Sequence, residues 1–432
     1  MLHNNISVFL RESDKEMNLA IVNQTASTGG WRYLYMLVKN IVQLRPDFDI
    51  TIFINDITGI EEAEKLKQIG IKMQPIENPR EEKLFERKIF FHIHFFDHIY
   101  NTIRKRKYKK RCKKNAASNK NALDTLNKYD VVFYAWPYGI VAPDITKPLF
   151  FIPHDFIISH GFGVDGCGFY YKDLWFKSFF PQLKTFVDKK AIPIVSSEFI
   201  KDEYNRVFPD SEKKPHVVYL SKFNEYKKKS PVEIQNTLDK YDIHNDYILF
   251  ANNNMPHKNL SQVIAAMYYV KQKHPDVKLV ISGYRNNDIL GKINCPYYMD
   301  HTEKEDDWDI KGIGLLSDAD FSAVLQGAKM CINASFCEAG AGSGIDAWSI
   351  GTPMVMSDIP SFKNQIEFLG VKAELFEPRE ARDIARAIIK LLDNPDLVRE
   401  NVEISQKAME RYTWEIVAQK YINLFEEGRN GV

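Results

Sequence analysis

The stretch FCEAGAGSGIDAWSIGTPMVMSDIP, residues 336–360, sets two acids, Glu338 and Asp346, on either side of a run of Gly, Ala and Ser. It follows MCINAS (330–335), an apolar run of strand length, and the segment from Gly344 through Ile350 reads as a helix start. Glycine at such positions forgoes side-chain packing and adds backbone entropy that folding must remove. Strand, glycine-rich turn and helix form the junction at which open α/β sheets bind ligands. Backbone without side chains admits a phosphate closely there, and helix-start N–H groups face it. Asp346 falls in the first helical turn in this scheme, and carboxylates, as pure acceptors, suit hydroxyls. A blander account has Asp346 merely favouring the helix N-terminus and Glu338 as a solvated loop acid. The pair of acids, bridged by Gly340, Gly342, Ser343 and Gly344, favours a ligand.

Working outward, apolar runs of strand length recur at 19–23, 50–54, 131–135, 149–153, 193–197 and 216–220. A second series follows at 247–251, 278–283, 330–334, 353–357 and, weakly, 373–377. Most are apolar at successive positions, the pattern of parallel strands covered on both faces. Segments of helical period lie between them, so the fold class is α/β, two doubly wound sheets. The polar stretch 221–246, with Pro231, reads as a linker and a solvated helix and places a domain boundary near residue 222. The first half has its own junction, VNQTASTGGWRYLYMLVKNIV (22–42), where Gly29 and Gly30 precede a helix. It is neither a P-loop nor GxGxxG, and a plain tight turn explains it equally well.

Composition narrows the function classes. With 432 residues, two domains of roughly 200 residues each are expected. A formal net charge of +1 gives no global field toward nucleic acid. Five scattered cysteines without a CxxC pair fit a reduced cytosol rather than disulfides or zinc. Arg11, Glu12 and Asp14 interrupt the N-terminal apolar stretch, which excludes a signal peptide, and no run reaches the ~20 apolar residues of a membrane span. The expected location is cytoplasmic, soluble or peripheral on the inner face of the membrane. One local feature stands out: KIFFHIHFFDHIYNTIRKRKYKKRCKK (88–114) starts aromatic and carries nine Lys or Arg between 104 and 114. Such a run docks on anionic lipid at about 1 kcal/mol per basic residue. A solvated face and nucleic-acid binding are its alternatives.

The C-terminal half resembles the retaining glycosyltransferases of family 4, the group 1 glycosyltransferases of GT-B fold. The residues that carry the resemblance are Glu338, seven intervening residues, Asp346 and then GTPMVMSDIP (351–360). KGIGLLSDADFSAVLQGAKMCINASFCE (311–338) is similar to the family's approach to that motif, and ILFANNNMPHKNL (248–260) to its diphosphate-binding turn, which supplies Lys258. The first half matches in pieces, through Gly29-Gly30, IPHDF (152–156) and VSSEFIKDEY (195–204). Two departures concern the donor: the second acid is Asp where the family has Glu, and the family's Arg six positions before the lysine is here Asn252.

The resemblance implies two Rossmann-like domains facing a central cleft: an acceptor domain over 1–222, a nucleotide-sugar domain over 223–411, and a C-terminal helix, 412–432, crossing back to the first. It implies Glu338 on donor-sugar hydroxyls, Asp346 on the ribose, His154 by the transferring sugar and Lys258 on the leaving diphosphate. Asn252 and the glycine loops at Gly29, Gly30, Gly340, Gly342 and Gly344, with Ser343, complete the donor site. The implied activity is transfer from a nucleotide-diphosphate sugar to a glycan or lipid-linked acceptor in cell-surface polysaccharide synthesis. No cofactor or metal is expected, and Asp306, Asp307 and Asp309 read as a surface loop. An epimerase or a phosphorylase on the same fold competes, though no pyridoxal-phosphate lysine motif stands out. A nucleic-acid-binding protein using 104–114 is opposed by the near-zero net charge.

Overall fold

The computed structural model describes residues 16–24, 28–54, 60–76, 120–160, 179–223, 226–252, 255–283 and 310–431. The first sheet contains β1 (Met17–Val22), β2 (Phe48–Ile54), β3 (Lys72–Pro75), β4 (Val131–Tyr134), β5 (Leu149–Phe151), β6 (Ile192–Val195) and β7 (His216–Val217). The second contains β8 (Tyr247–Ala251), β9 (Lys278–Ser282), β10 (Ile310–Gly314), β11 (Met330–Asn333), β12 (Met354–Ser357) and β13 (Glu374–Phe376). Their orders are β3-β2-β1-β4-β5-β6-β7 and β10-β9-β8-β11-β12-β13, and every pairing is parallel. Each sheet therefore winds outward in both directions from a switch point. These lie between β1 and β4 and between β8 and β11.

Burial explains why the strands are apolar at successive positions. In β8, Ile248 and Phe250 join one buried cluster with helix Leu260–Lys271 and helix Ala381–Asp393. Tyr247 and Leu249 join the cluster on the opposite face, with helix Gly342–Ile350 and helix Pro360–Leu369. Each such side chain contributes roughly 1.5–3 kcal/mol when fully buried. Edge strands have no such need. β3 (KMQP) and β10 (IKGIG) each have one neighbour, and neither shows the apolar run that marks the other strands. The register of β10 also slips between Gly312 and Gly314.

Local signals set several boundaries. Ser230 and Glu233 form a capping box on helix Pro231–Lys240, which buries no residue, as a solvated helix should. Gly351 ends helix Gly342–Ile350 at φ +93°, a conformation open to glycine. Its N–H and that of Thr352 both donate to Ala347 O, at 3.0 and 2.9 Å. The Gly-Thr-Pro sequence thus has a structural task of its own: it stops one helix and turns into β12.

The chain divides into two compact units. The first comprises 1–152, 182–193 and 418–432, and the second 153–181 and 194–417. Within the first, helix Trp414–Arg429 sets Phe425 against Phe133 and Phe150, with ring centroids 5.4 and 5.2 Å apart.

Candidate active site

Two loops meet at the C-terminal ends of β8 and β11, the adjacent strands of the second switch point. After β8 the chain makes a single 3-10 turn, Pro256–Lys258, before helix Leu260–Lys271. Asn259 sits between them in the left-handed region at φ +63°, which Asn tolerates better than most residues, and donates through Nδ2 to Pro378 O at 2.7 Å. After β11 the chain runs through Ser335 and Glu338 to helix Gly342–Ile350. A backbone bond from Phe336 N to His257 O, 2.8 Å, ties the two loops together.

This tie brings Lys258 and Glu338 into contact, and Lys258 Nζ donates to Glu338 Oε1. Glu338 is not a solvated acid, since its side chain is only 7% exposed. The same oxygen takes a hydrogen bond from Ser335 Oγ at 2.8 Å, and His257 Nε2 lies 3.8 Å away. Ser335 Oγ is also 2.9 Å from Asn333 Oδ1, so one hydroxyl proton is contested by two acceptors. Burial is the main cause that lowers His257 to about 4, Lys258 adding to it and Glu338 opposing; the imidazole is therefore neutral near pH 7.

Asp155, partly buried beyond β5, belongs to the same electrostatic group. Burial pushes its carboxyl up to about 6, and Glu338 adds to the effect; the Ile157 N–H bond to Oδ1, 3.2 Å, and Lys258 act the other way. Two opposite pH effects on stability follow. Between the ordinary carboxyl value of 3.8 and about 6, the folded protein holds a proton on Asp155 that the unfolded chain lacks, so this group lowers stability as pH rises. Between about 4 and 6.5 the unfolded chain holds a proton on His257 that the folded protein lacks, so stability rises with pH. In the wild type these nearly cancel. Asp155→Asn should therefore give stability that rises with pH relative to wild type over this window, and His257→Gln stability that falls. Each slope is at most about 1.4 kcal/mol per pH unit, less where solvent screens Asp155. Urea unfolding at several pH values between 4 and 6.5 measures both; parallel slopes in all three proteins would refute the assignment.

The other expected residues fall as follows. The sequence predicts a helix from Gly344 with Asp346 in its first turn; instead the helix runs Gly342–Ile350. Ile345 N donates to Ala341 O at 3.1 Å, closing the first turn earlier and leaving Asp346 buried in the second. Its charge, after burial itself, helps push the Cys331 thiol up to about 12. Gly29 and Gly30 do not precede their helix but lie within its first turn, in Thr28–Leu44. They belong to the first unit, and Asn252, His154, Lys258, Glu338 and Asp346 to the second. His154 follows β5 and is partly buried. Asn252 Nδ2, just past β8, and Ser343 Oγ, in the first turn after Ala341, are buried with no hydrogen-bond partner among the described residues. Leaving such groups unsatisfied costs about 1–3 kcal/mol each, so both fit a polar ligand.

The glycines of the loop differ in purpose. A Cβ on Gly344 would lie 3.0 Å from Ala341 Cβ and 3.3 Å from the Trp348 ring, so that glycine serves packing. A Cβ on Gly342 would meet nothing within 4 Å. We expect Gly342→Ala to be as stable as wild type or up to ~1 kcal/mol better, and Gly344→Ala to lose ~1–3 kcal/mol through crowding. Thermal unfolding tests the pair, and equal stability of the two variants would contradict the packing role.

The basic run 104–114 and the acids Asp306, Asp307 and Asp309 lie outside the described residues. Among those described, no helix is long and apolar enough to cross a membrane, and no group of three His, Cys, Asp or Glu is placed to hold a metal ion. Neither His257, Asp155 nor Ser335 carries its own signal in the sequence. Each is found only by adjacency: to Lys258, to His154, and three residues before Glu338.

Comparison with known proteins bears on this geometry. Residues 236–411, which contain both loops, match the family model of glycosyl transferases group 1. Over these residues the chain is similar to the group 1 glycosyltransferases. An O-antigen chain mannosyltransferase B from Escherichia coli is 23% identical over 291 residues, 65% of this chain and 73% of that protein. A phosphatidyl-myo-inositol mannosyltransferase from Mycobacterium leprae is 25% identical over 177 residues, 40% of this chain and 43% of that one. The chain thus spans less than half the length of this last relative. Among solved structures, Anabaena HepE in complex with UDP-glucose superposes with a TM-score of 0.65 at 14% identity, covering 95% of this chain and all of that one. WaaG, a glycosyltransferase involved in lipopolysaccharide biosynthesis, gives 0.65 at 10% identity over 94% and 99% of the two chains. The fold of this chain is GT-B.

Proposed function

We propose that the chain is a retaining glycosyltransferase that moves a sugar from a nucleotide-diphosphate sugar to a glycan or lipid-linked acceptor in cell-surface polysaccharide synthesis. The observation that carries this reading is the Lys258–Glu338 pair at the switch point between β8 and β11, where open α/β sheets receive their ligands. Cleaving a sugar–phosphate bond develops positive charge at the anomeric carbon and negative charge on the diphosphate. Lys258 and the N–H groups opening helix Gly342–Ile350 are fixed before the reaction and meet the leaving charge without reorganising. Glu338 accepts from donor-sugar hydroxyls, Asp346 from the ribose, and Asn252 and Ser343 supply polar contacts along the donor; His154 lies by the transferring sugar. With protein groups balancing the diphosphate, chelation of divalent metal leaves turnover unchanged. The mannosyltransferase relatives support a glycan or lipid acceptor, and HepE with UDP-glucose supports the donor class.

The test is the anomeric configuration of the product, read by NMR after incubation with a panel of nucleotide sugars. Retention of the donor configuration supports the proposal; inversion removes the retaining mechanism, and no turnover of any donor removes the transferase. The lipid-linked acceptor and the cytoplasmic membrane face rest on the basic run 104–114. If wild-type protein ignores anionic liposomes even at low salt, where screening is weakest, that part falls.

A further inference from the structure

Glu338 is held from one side. Every hydrogen bond it makes among the described residues falls on Oε1, from Lys258 Nζ and Ser335 Oγ. The partners that remain without Lys258 are poor: Ser335 divides one proton between Oε1 and Asn333 Oδ1, and His257 at 3.8 Å is neutral near pH 7. Asp155 adds a second negative charge to the group above about pH 6. Among the described residues Lys258 is thus the cation that balances Glu338, and its own side chain is only 16% exposed. A diphosphate arriving at this point must draw the ammonium away from the carboxylate.

We infer that the Lys258–Glu338 pair is an internal lock on the diphosphate site, exchanged when the donor binds, which makes the site refuse a bare diphosphate. The inference rests on the donor reading above and extends it to selectivity. A bare diphosphate takes Lys258 and leaves Glu338 buried with its charge uncompensated, the costly way to break a buried pair. A nucleotide sugar takes Lys258 with its diphosphate and returns hydroxyl donors to Glu338, so both ends of the broken pair are satisfied. After transfer the sugar is gone, Glu338 recovers Lys258, and the spent diphosphate is expelled. The pair would therefore favour substrate over product with a single exchange of partners.

The probe is inorganic pyrophosphate, titrated by calorimetry into the full chain. Glu338→Gln, which removes the competing charge and keeps the shape, should bind pyrophosphate at least tenfold more tightly than wild type. Glu338→Asp, which keeps the charge but withdraws it by one methylene, should show a smaller gain and serves if the Gln variant does not fold. The gain should vanish in Lys258→Met/Glu338→Gln. Affinity in the Glu338 variants equal to or weaker than wild type overturns the lock, as does a gain that survives loss of Lys258. Wild-type turnover of nucleotide sugars separates this from the functional proposal: turnover without the pyrophosphate gain sinks only the lock, while the gain without turnover sinks the transferase.

Discussion

Glu338→Ala and Lys258→Ala should each lower turnover about 10²–10³-fold, the cost of losing roughly 2.7–4 kcal/mol of transition-state charge stabilisation. Their effects on the fold should differ. Glu338 has a 7% exposed side chain, and without Lys258 it retains, among the described residues, only a contested hydroxyl and a neutral imidazole. Truncating Lys258 therefore leaves a buried charge, at a cost approaching ~3–5 kcal/mol. Truncating Glu338 leaves an ammonium on a long flexible stem that can turn toward water. Lys258→Ala should then be the less stable of the two. Nucleotide release under saturating donor measures the first effect, and urea unfolding run beside it the second. A folded variant with more than a tenth of wild-type turnover would take that residue out of the chemistry.

Phe425→Ala should cost the protein about 3–5 kcal/mol, the range for removing a fully buried aromatic side chain. Phe425 is 0% exposed and its ring meets Phe133, Phe150 and Tyr421. The site cannot collapse easily, because its helix already lies close against β5. A Cβ on Gly428 would come within 2.7 Å of the Phe150 ring. Two further ties hold this segment in the first unit: a 2.8 Å hydrogen bond from Tyr33 to Tyr421, and an ion pair of Arg45 with Glu426. Denaturant unfolding followed by tryptophan fluorescence gives the loss directly. A value below about 1 kcal/mol would mean that residues 418–432 are not part of that unit's cooperative core.

Much of this was legible in the residues alone, because burial on both faces writes itself into a strand. YILFA, the LVI of KLVIS and the MCI of MCIN are apolar at successive positions because helices cover both sides of the sheet, so the class of these strands follows from hydrophobicity. The strands at β3 and β10 escape for the converse reason: an edge has one neighbour, less to bury and no pattern to impose. The acid–glycine–acid junction and Lys258 stand out in the string because the proposed donor chemistry calls for such residue types at short spacing along the chain. Helix starts are less so. Whether the first turn closes on Ala341 or two residues later depends on packing around Gly344 and Trp348, which moved Asp346 out of the first turn.

The charge states belong to the folded molecule. Lys258 and Glu338 lie 80 residues apart and pair because β8 and β11 are neighbours in the sheet. Asp155 and His257 look like ordinary titrating groups in the chain. Their protons shift in opposite directions, to about 6 and about 4, because folding withdraws each from water beside the same ion pair. Local periodicity and spacing are short-range properties and survive in a one-dimensional string. Desolvation and the pairing of distant charges depend on which segments meet, and they exist only once the sheet is formed.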